Sequence, residues 1–209
     1  MRRASVIVGA VMLAAAWAVA AGAYGLTGHM VAHMACVAVA APLLAWGVAG
    51  TRADPAMRWP WFVAPLPMSL VELLVVWGWH APAARELASM SVLGLAIEQL
   101  MFLAAGLLLW SACLGSFGSG RSIRRASGVA ALLLTTMHMT LLGVLITLAP
   151  RTLFANTGFM CLGYSFAPLV DQQVGGVVML MVGAGSYLLG GLMLLSRILW
   201  SAPGRTAPS

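Results

Sequence analysis

The chain has 209 residues, 62% of them hydrophobic and 8% charged, and its formal net charge of +6 comes from eleven basic residues that are all arginine. A mean hydropathy of +0.98 excludes an ordinary soluble domain. The basic balance is not a nucleic-acid footprint, because no basic stripe is interleaved with aromatics and arginine in cytoplasmic loops accounts for the excess.

Six apolar stretches follow in chain order, near residues 4–24, 28–50, 60–80, 87–113, 126–149 and 173–199. Each has about the 20 residues that one crossing needs. They predict an all-α polytopic transmembrane helix bundle forming one domain over residues 1–209, with the lipid bilayer as its surroundings. On one side the ends and connections carry Arg2, Arg3, Arg52, Arg58, Arg121, Arg124, Arg125, Arg197 and Arg205; the other side keeps Arg85 and Arg151. The positive-inside rule then predicts two cytoplasmic termini, in a multi-pass protein of the cell (inner) membrane. The first stretch, behind Arg2 and Arg3, also suits a signal peptide, but its length favours a retained helix. Trp59 and Trp61 mark a membrane interface, and Pro65 and Pro67 are expected to kink the third span. Residues 150–172 read as an outer lid or short surface helix. Cys36, Cys113 and Cys161 lack C-x-x-C spacing, which gives neither a zinc site nor an obvious disulfide.

Ionisable groups within a span are costly and usually face the bundle interior, where they meet each other, a cavity or an ion. All four histidines fall in the outward half of this topology. With a rise of about 1.5 Å per residue, His29 and His33 lie just inside the outer end of span two and His80 at the outer end of span three. Glu98 and His138 come at similar depth, about 16 Å down, and Met179 and Met181 about 9–12 Å into span six. In His29-Met30-Val31-Ala32-His33-Met34 the i,i+4 spacing stacks both imidazoles on one face and both thioethers on a neighbouring one. Imidazole suits copper or zinc, and thioether sulfur selects Cu(I). Met137-His138-Met139 offers the same donors, although neighbours on a helix point about 100° apart.

A plainer reading stays open beside this one: methionine fills core gaps and histidine hydrogen-bonds a neighbouring helix, with Glu98 the competing partner for His138. Glu72 and Glu98 have no lysine to pair with and no arginine predicted nearby. Each is expected to be neutral, or in contact with a histidine, an ion or water. Asp171 is expected to N-cap span six, which does not exclude a second role. His80, ahead of Ala81-Pro82, reads as a helix end or as a ligand. Gly175, Gly176, Gly183, Gly190 and Gly191 suit close helix approach. No dinucleotide turn, Walker loop or nucleophile elbow occurs, so nothing points to an enzyme.

Four segments carry a family resemblance. They are the 29–34 motif with Ala41-Pro42-Leu43-Leu44; Trp79-His80-Ala81-Pro82; Ile97-Glu98-Gln99-Leu100-Met101-Phe102 leading to Gly106 and Trp110; and Leu142-Gly143 through Pro150-Arg151, followed by Asp171-Gln172-Gln173 and Gly175-Gly176 to Met179. Together they resemble the polytopic CtaG-type family of cytochrome c oxidase assembly proteins. The resemblance implies a membrane protein that helps mature a haem–copper oxidase by supplying or inserting copper on the outer face, with oxidase subunits or copper chaperones as partners. By position it implies a site drawn from His29, His33, His80, Glu98, His138, Asp171, Gln172 and Met179, with Met30 and Met34 as adjacent sulfur donors. The chain departs from the family pattern at Gln99 and Gly94, where histidines are expected, and it lacks an additional span. Rival readings are a copper transporter or tolerance protein, a haem-binding membrane subunit, and a structural partner of oxidase subunits. The spans below Glu98 and His138 read as almost wholly apolar, which argues against passage of an ion through the bilayer.

Overall fold

The computed structural model describes residues 1–22, 24–115, 121–154, 159–161 and 164–201; the expectation for Arg205 and the side chain of Cys161 fall outside that description. An all-α membrane bundle results, as a chain this apolar requires: with no water in the hydrocarbon, each backbone N–H and C=O must be satisfied inside the segment. Helix α1 is Arg2–Ala21, α2 is Gly25–Val48, α3 Pro55–Arg58, α4 Pro65–Trp79, α5 Pro82–Ser89, α6 Val92–Leu114, α7 Arg121–Leu148 and α8 Pro168–Trp200. Between α7 and α8 lies an antiparallel hairpin, β1 Phe159–Cys161 and β2 Tyr164–Phe166, with Phe159 opposite Phe166. The expected lid is thus built in part from strand.

Among the described residues, five helices (α1, α2, α6, α7 and α8) are long and apolar enough to cross a membrane. The sixth expected span is α4, whose 15 residues measure about 22 Å, short of the roughly 30 Å hydrocarbon core. Pro65 and Pro67 do not kink it. They stand in its first turn, where a missing N–H costs nothing, and so they set where the helix starts. The expected fourth span is corrected as well: residues 82–89 form the separate α5, and Ser91 caps α6 by accepting from Gly94 N at 2.9 Å.

Helix α1 packs along α2, although only Gly9 and Ala16 of it are buried. Arg2 donates to Ala49 O at 3.0 Å and Ser5 to Leu43 O at 2.7 Å. Helix α2 is not uniform. Residues Ala35–Ala40 form a π turn, and the Ala41 N–H returns to Cys36 O. Pro42 explains this: it has no N–H for Ala38 O, and its ring would crowd that carbonyl in a regular helix. The carbonyls set free are taken by side chains. Ser186 donates to Ala38 O at 2.6 Å, and Trp110 Nε1 donates to Val37 O at 3.1 Å. Trp110 and Tyr187 stack at 5.4 Å between ring centroids, so the π turn is the docking point for α6 and α8.

Helices α7 and α8 approach through glycine. A Cβ on Gly176 would meet Thr147 Oγ1 at 2.3 Å and Gly143 O at 2.9 Å, so no larger residue fits there without separating the pair. The core holds Phe102, Leu109, Trp110, Tyr187, Met30, Met34, Met139 and Met179, all essentially buried.

A reporter fused after Ser209 is expected to read as cytoplasmic, in line with the arginine distribution. Both termini on one side need an even number of crossings, so an external reading would mean that α4 does not complete one.

Candidate functional site

Three histidines meet at one end of the bundle. His29 and His33 leave the first turns of α2 on one face, with centroids 6.3 Å apart and planes 8° from parallel. His80 follows the last residue of α4 and lies 5.5 Å from the His29 ring and 5.2 Å from the His33 ring. Phe102 of α6 packs against all three, closest to His33 at 4.0 Å. The rings are 0–5% exposed, so this cluster is walled off by apolar side chains.

The hydrogen bonding of these rings bears on their chemistry. His80 Nδ1 is 2.7 Å from Val76 O; a carbonyl only accepts, so the proton is on Nδ1 and the Nε2 lone pair is free. That nitrogen, and both nitrogens of His29 and His33, are buried without a hydrogen-bond partner among the described residues. Buried polar atoms are ordinarily paired; each neutral ring keeps one proton, so three of these five nitrogens, one per histidine, carry a lone pair that a cation can use. Among the described residues, no group of three histidine, cysteine, aspartate or glutamate side chains is arranged to hold a metal ion as it stands.

Glu98 is beside the cluster, and here an expectation is corrected. Arg85, counted in the sequence as a remote loop charge, folds in from α5 and donates from Nη1 to Glu98 Oε1 at 2.9 Å and Oε2 at 2.7 Å. His29 Nδ1 is 3.7 Å from the same Oε2. The reason is geometric: α5 lies against the start of α6, and the long arginine stem reaches a carboxylate about three turns of chain away.

The remaining candidates are apart from these rings. His138 is buried with both nitrogens lacking a partner, and Glu98, its expected competitor, is occupied by Arg85. Its neighbour Met137 is 69% exposed whereas Met139 is fully buried, so the two sulfurs face opposite ways. Met30, Met34 and Met179 are buried, but Met181 is exposed. A Cβ on Gly183 would be 3.4 Å from Met34 Sδ and 3.6 Å from Met139 Cβ, which puts these two methionines beside one point on α8.

Asp171 does cap a helix, though not its own, whose N-cap is Ala167. Its carboxylate accepts from Leu26 N at 2.7 Å and Thr27 N at 3.0 Å, and Thr27 Oγ1 donates back to Asp171 O at 3.0 Å. It therefore caps α2, the helix that carries His29 and His33. Gln172 accepts from Leu153 N at 2.7 Å and donates to Ile146 O at 3.2 Å and Arg151 O at 3.3 Å, which clamps the end of α7. Both side chains are spent on scaffolding.

The sequence marks Glu72 as needing a partner but does not show the polar cluster around it on α4. Glu72 is fully buried and accepts from the Tyr187 hydroxyl, and Ser69 bonds Thr135 at 2.9 Å. Ser69 and Glu72 recur at helical spacing with Val76 and His80, the signal that would have put them on one buried face. A cavity of about 710 Å³ lies at the ends of α1, α2 and α5; its lining includes Tyr24, Arg85, Glu86, Ser91 and Phe154, and Arg85 is the residue that links it to Glu98.

Replacing Asp171 with alanine removes two charge-assisted bonds to the first turn of α2. It is expected to lower stability by about 1–3 kcal/mol, measured as the thermal midpoint in detergent, while asparagine at this position retains most of the cap.

A family model described as "Cytochrome c oxidase caa3 assembly factor (Caa3_CtaG)" matches residues 1–201. No curated protein and no solved structure matches the chain.

Proposed function

This chain belongs to the cytochrome c oxidase caa3 assembly factors, and on that premise we propose that it accepts copper at its histidine-bearing end and passes it to the oxidase under assembly. Copper is cargo in this reading. The protein makes and breaks no covalent bond, and its partners are oxidase subunits or the chaperone that brings the ion. The arginine distribution supports a site buried near the outer face of the cell (inner) membrane.

The observation that carries the reading is the convergence of His29, His33 and His80, whose buried rings each keep one lone-pair nitrogen without a hydrogen-bond partner among the described residues. Imidazole is a good copper ligand, and buried thioethers select the reduced ion. Met30 and Met34 follow His29 and His33 directly in α2, and Met34, Met139 and Met179 extend a sulfur-rich interior beyond the rings. These groups offer the ion successive, individually weak contacts, as delivery requires. Glu98 supplies a negative charge beside His29. Asp171 and Gln172 act by holding α2 and α7 in place, not as ligands.

One observation favours a transporter as the second reading. Glu72, Tyr187, Ser69 and Thr135 place polar groups farther from the histidine end than the sequence suggested. Copper uptake into sealed proteoliposomes separates the two, since a delivery factor binds the ion without accumulating it inside. An absorption spectrum disposes of the haem reading if no Soret band is present.

Metal analysis of detergent-purified protein loaded with Cu(I) tests the main reading. Wild type is expected to retain copper, and the His29→Ala/His33→Ala variant to lose most of it at unchanged helix content. Equal copper in the two would remove these histidines from the proposal.

A further inference from the structure

We propose that Arg85 is a tethered cation that fills the place of the metal ion, and that copper reaches Glu98 and His29 only by displacing it. The inference rests on the copper-accepting reading above and adds to it a release step built from this chain's own residues.

Three features point to this. Glu98 Oε2 faces two groups, Arg85 Nη1 at 2.7 Å and His29 Nδ1 at 3.7 Å. An ion held by His29 on that side would therefore compete with the guanidinium for one oxygen. Second, the grip is partial. Both contacts to Glu98 come from the single nitrogen Nη1, not from the two-nitrogen fork that makes arginine–carboxylate pairs strong. Third, the arginine has somewhere to go. Its side chain is 17% exposed while that of Glu98 is 0% exposed, and Arg85 lines the 710 Å³ cavity together with Glu86 of the same helix.

The electrostatics run in one direction. A fully buried carboxylate without a partner is costly, so in the metal-free protein Arg85 neutralises Glu98 and keeps the site folded. A cation bound between His29 and Glu98 takes over that neutralisation, and the two positive charges then repel at short range. Arg85 swings into the cavity, where Glu86 offers an exposed carboxylate. On release of copper the arginine returns, which lowers the affinity of the site and favours handing the ion on. The cost of displacing Arg85 is thus subtracted from binding, as suits a site meant to give up its cargo.

The test uses the full chain purified in detergent and Cu(I) buffered anaerobically by a chromophoric chelator. Arg85→Met keeps the length of the stem and removes the charge; it is expected to bind Cu(I) at least about tenfold more tightly, the scale on which one nearby unit charge acts. Arg85→Lys should stay close to wild type, and Arg85→Met/Glu98→Gln should lose the gain. Binding by Arg85→Met that equals or falls below wild type overturns the proposal. Because that variant leaves Glu98 without its cation and is at risk of not folding, wild type is also mapped with phenylglyoxal, an arginine reagent. Arg85 is expected to be modified faster when Cu(I) is present, and an unchanged rate overturns the proposal. If His29→Ala/His33→Ala binds as wild type does, the copper reading fails and this inference with it. If those histidines are needed but Arg85 responds in neither assay, only the inference fails.

Discussion

Glu98 has no solvent exposure and sits on an apolar helix, so its charge must be met from within the protein, and Arg85 meets it. That single pairing organises the histidine-bearing end. It fastens α5 over the start of α6, and His80 stands only two residues ahead of α5. Holding α5 down therefore holds His80 against His29 and His33. The carboxylate is also the nearest acid to the histidine cluster, at 3.7 Å from His29, so structural and chemical demands converge on the same oxygen.

The rest of the scaffold follows a similar rule: polar groups freed by local sequence are taken up by a neighbouring helix. Pro42 frees carbonyls in α2, and Trp110 and Ser186 accept the task of satisfying them. The first turn of α2 has open N–H groups, and Asp171 of α8 closes them. Gln172 does the same for the backbone at the end of α7. In a medium without water each such contact substitutes for hydration, and together they position α2 from both ends. A member of an oxidase assembly family that presents histidines on α2 has good reason to fix that helix so firmly.

Much of this could be read from sequence, and the misses have physical causes. The apolar stretches located the long helices because hydropathy tracks the bilayer directly. The i,i+4 spacing of His29 and His33 predicted a shared face, and the stacked rings bear that out. Arg85 was misjudged because a loop charge was assumed to stay in water, whereas a short helix between Pro82 and Ser91 lays it over α6. Asp171 was recognised as a cap but assigned to its own helix, since nothing in a linear chain indicates that the open end of another helix lies alongside. Glu72 stands out in the sequence, but Tyr187, Ser69 and Thr135 around it do not, because each reads individually as an ordinary residue of an apolar helix.

The π turn at Ala35–Ala40 carries one consequence beyond its hydrogen bonds. An extra residue in a turn offsets the helix beyond it by about 100° relative to the helix before it. The two halves of α2 are therefore aimed independently: one half directs imidazoles toward α4 and α6, and the other sets Leu43, Leu44 and Gly47 against α1. A change at Pro42 that let the helix wind regularly would rotate one half against the other. His29 and His33 would lose their azimuth though every atom near them was left as it was, which makes a proline several turns away the part that sets the bearing of the histidines.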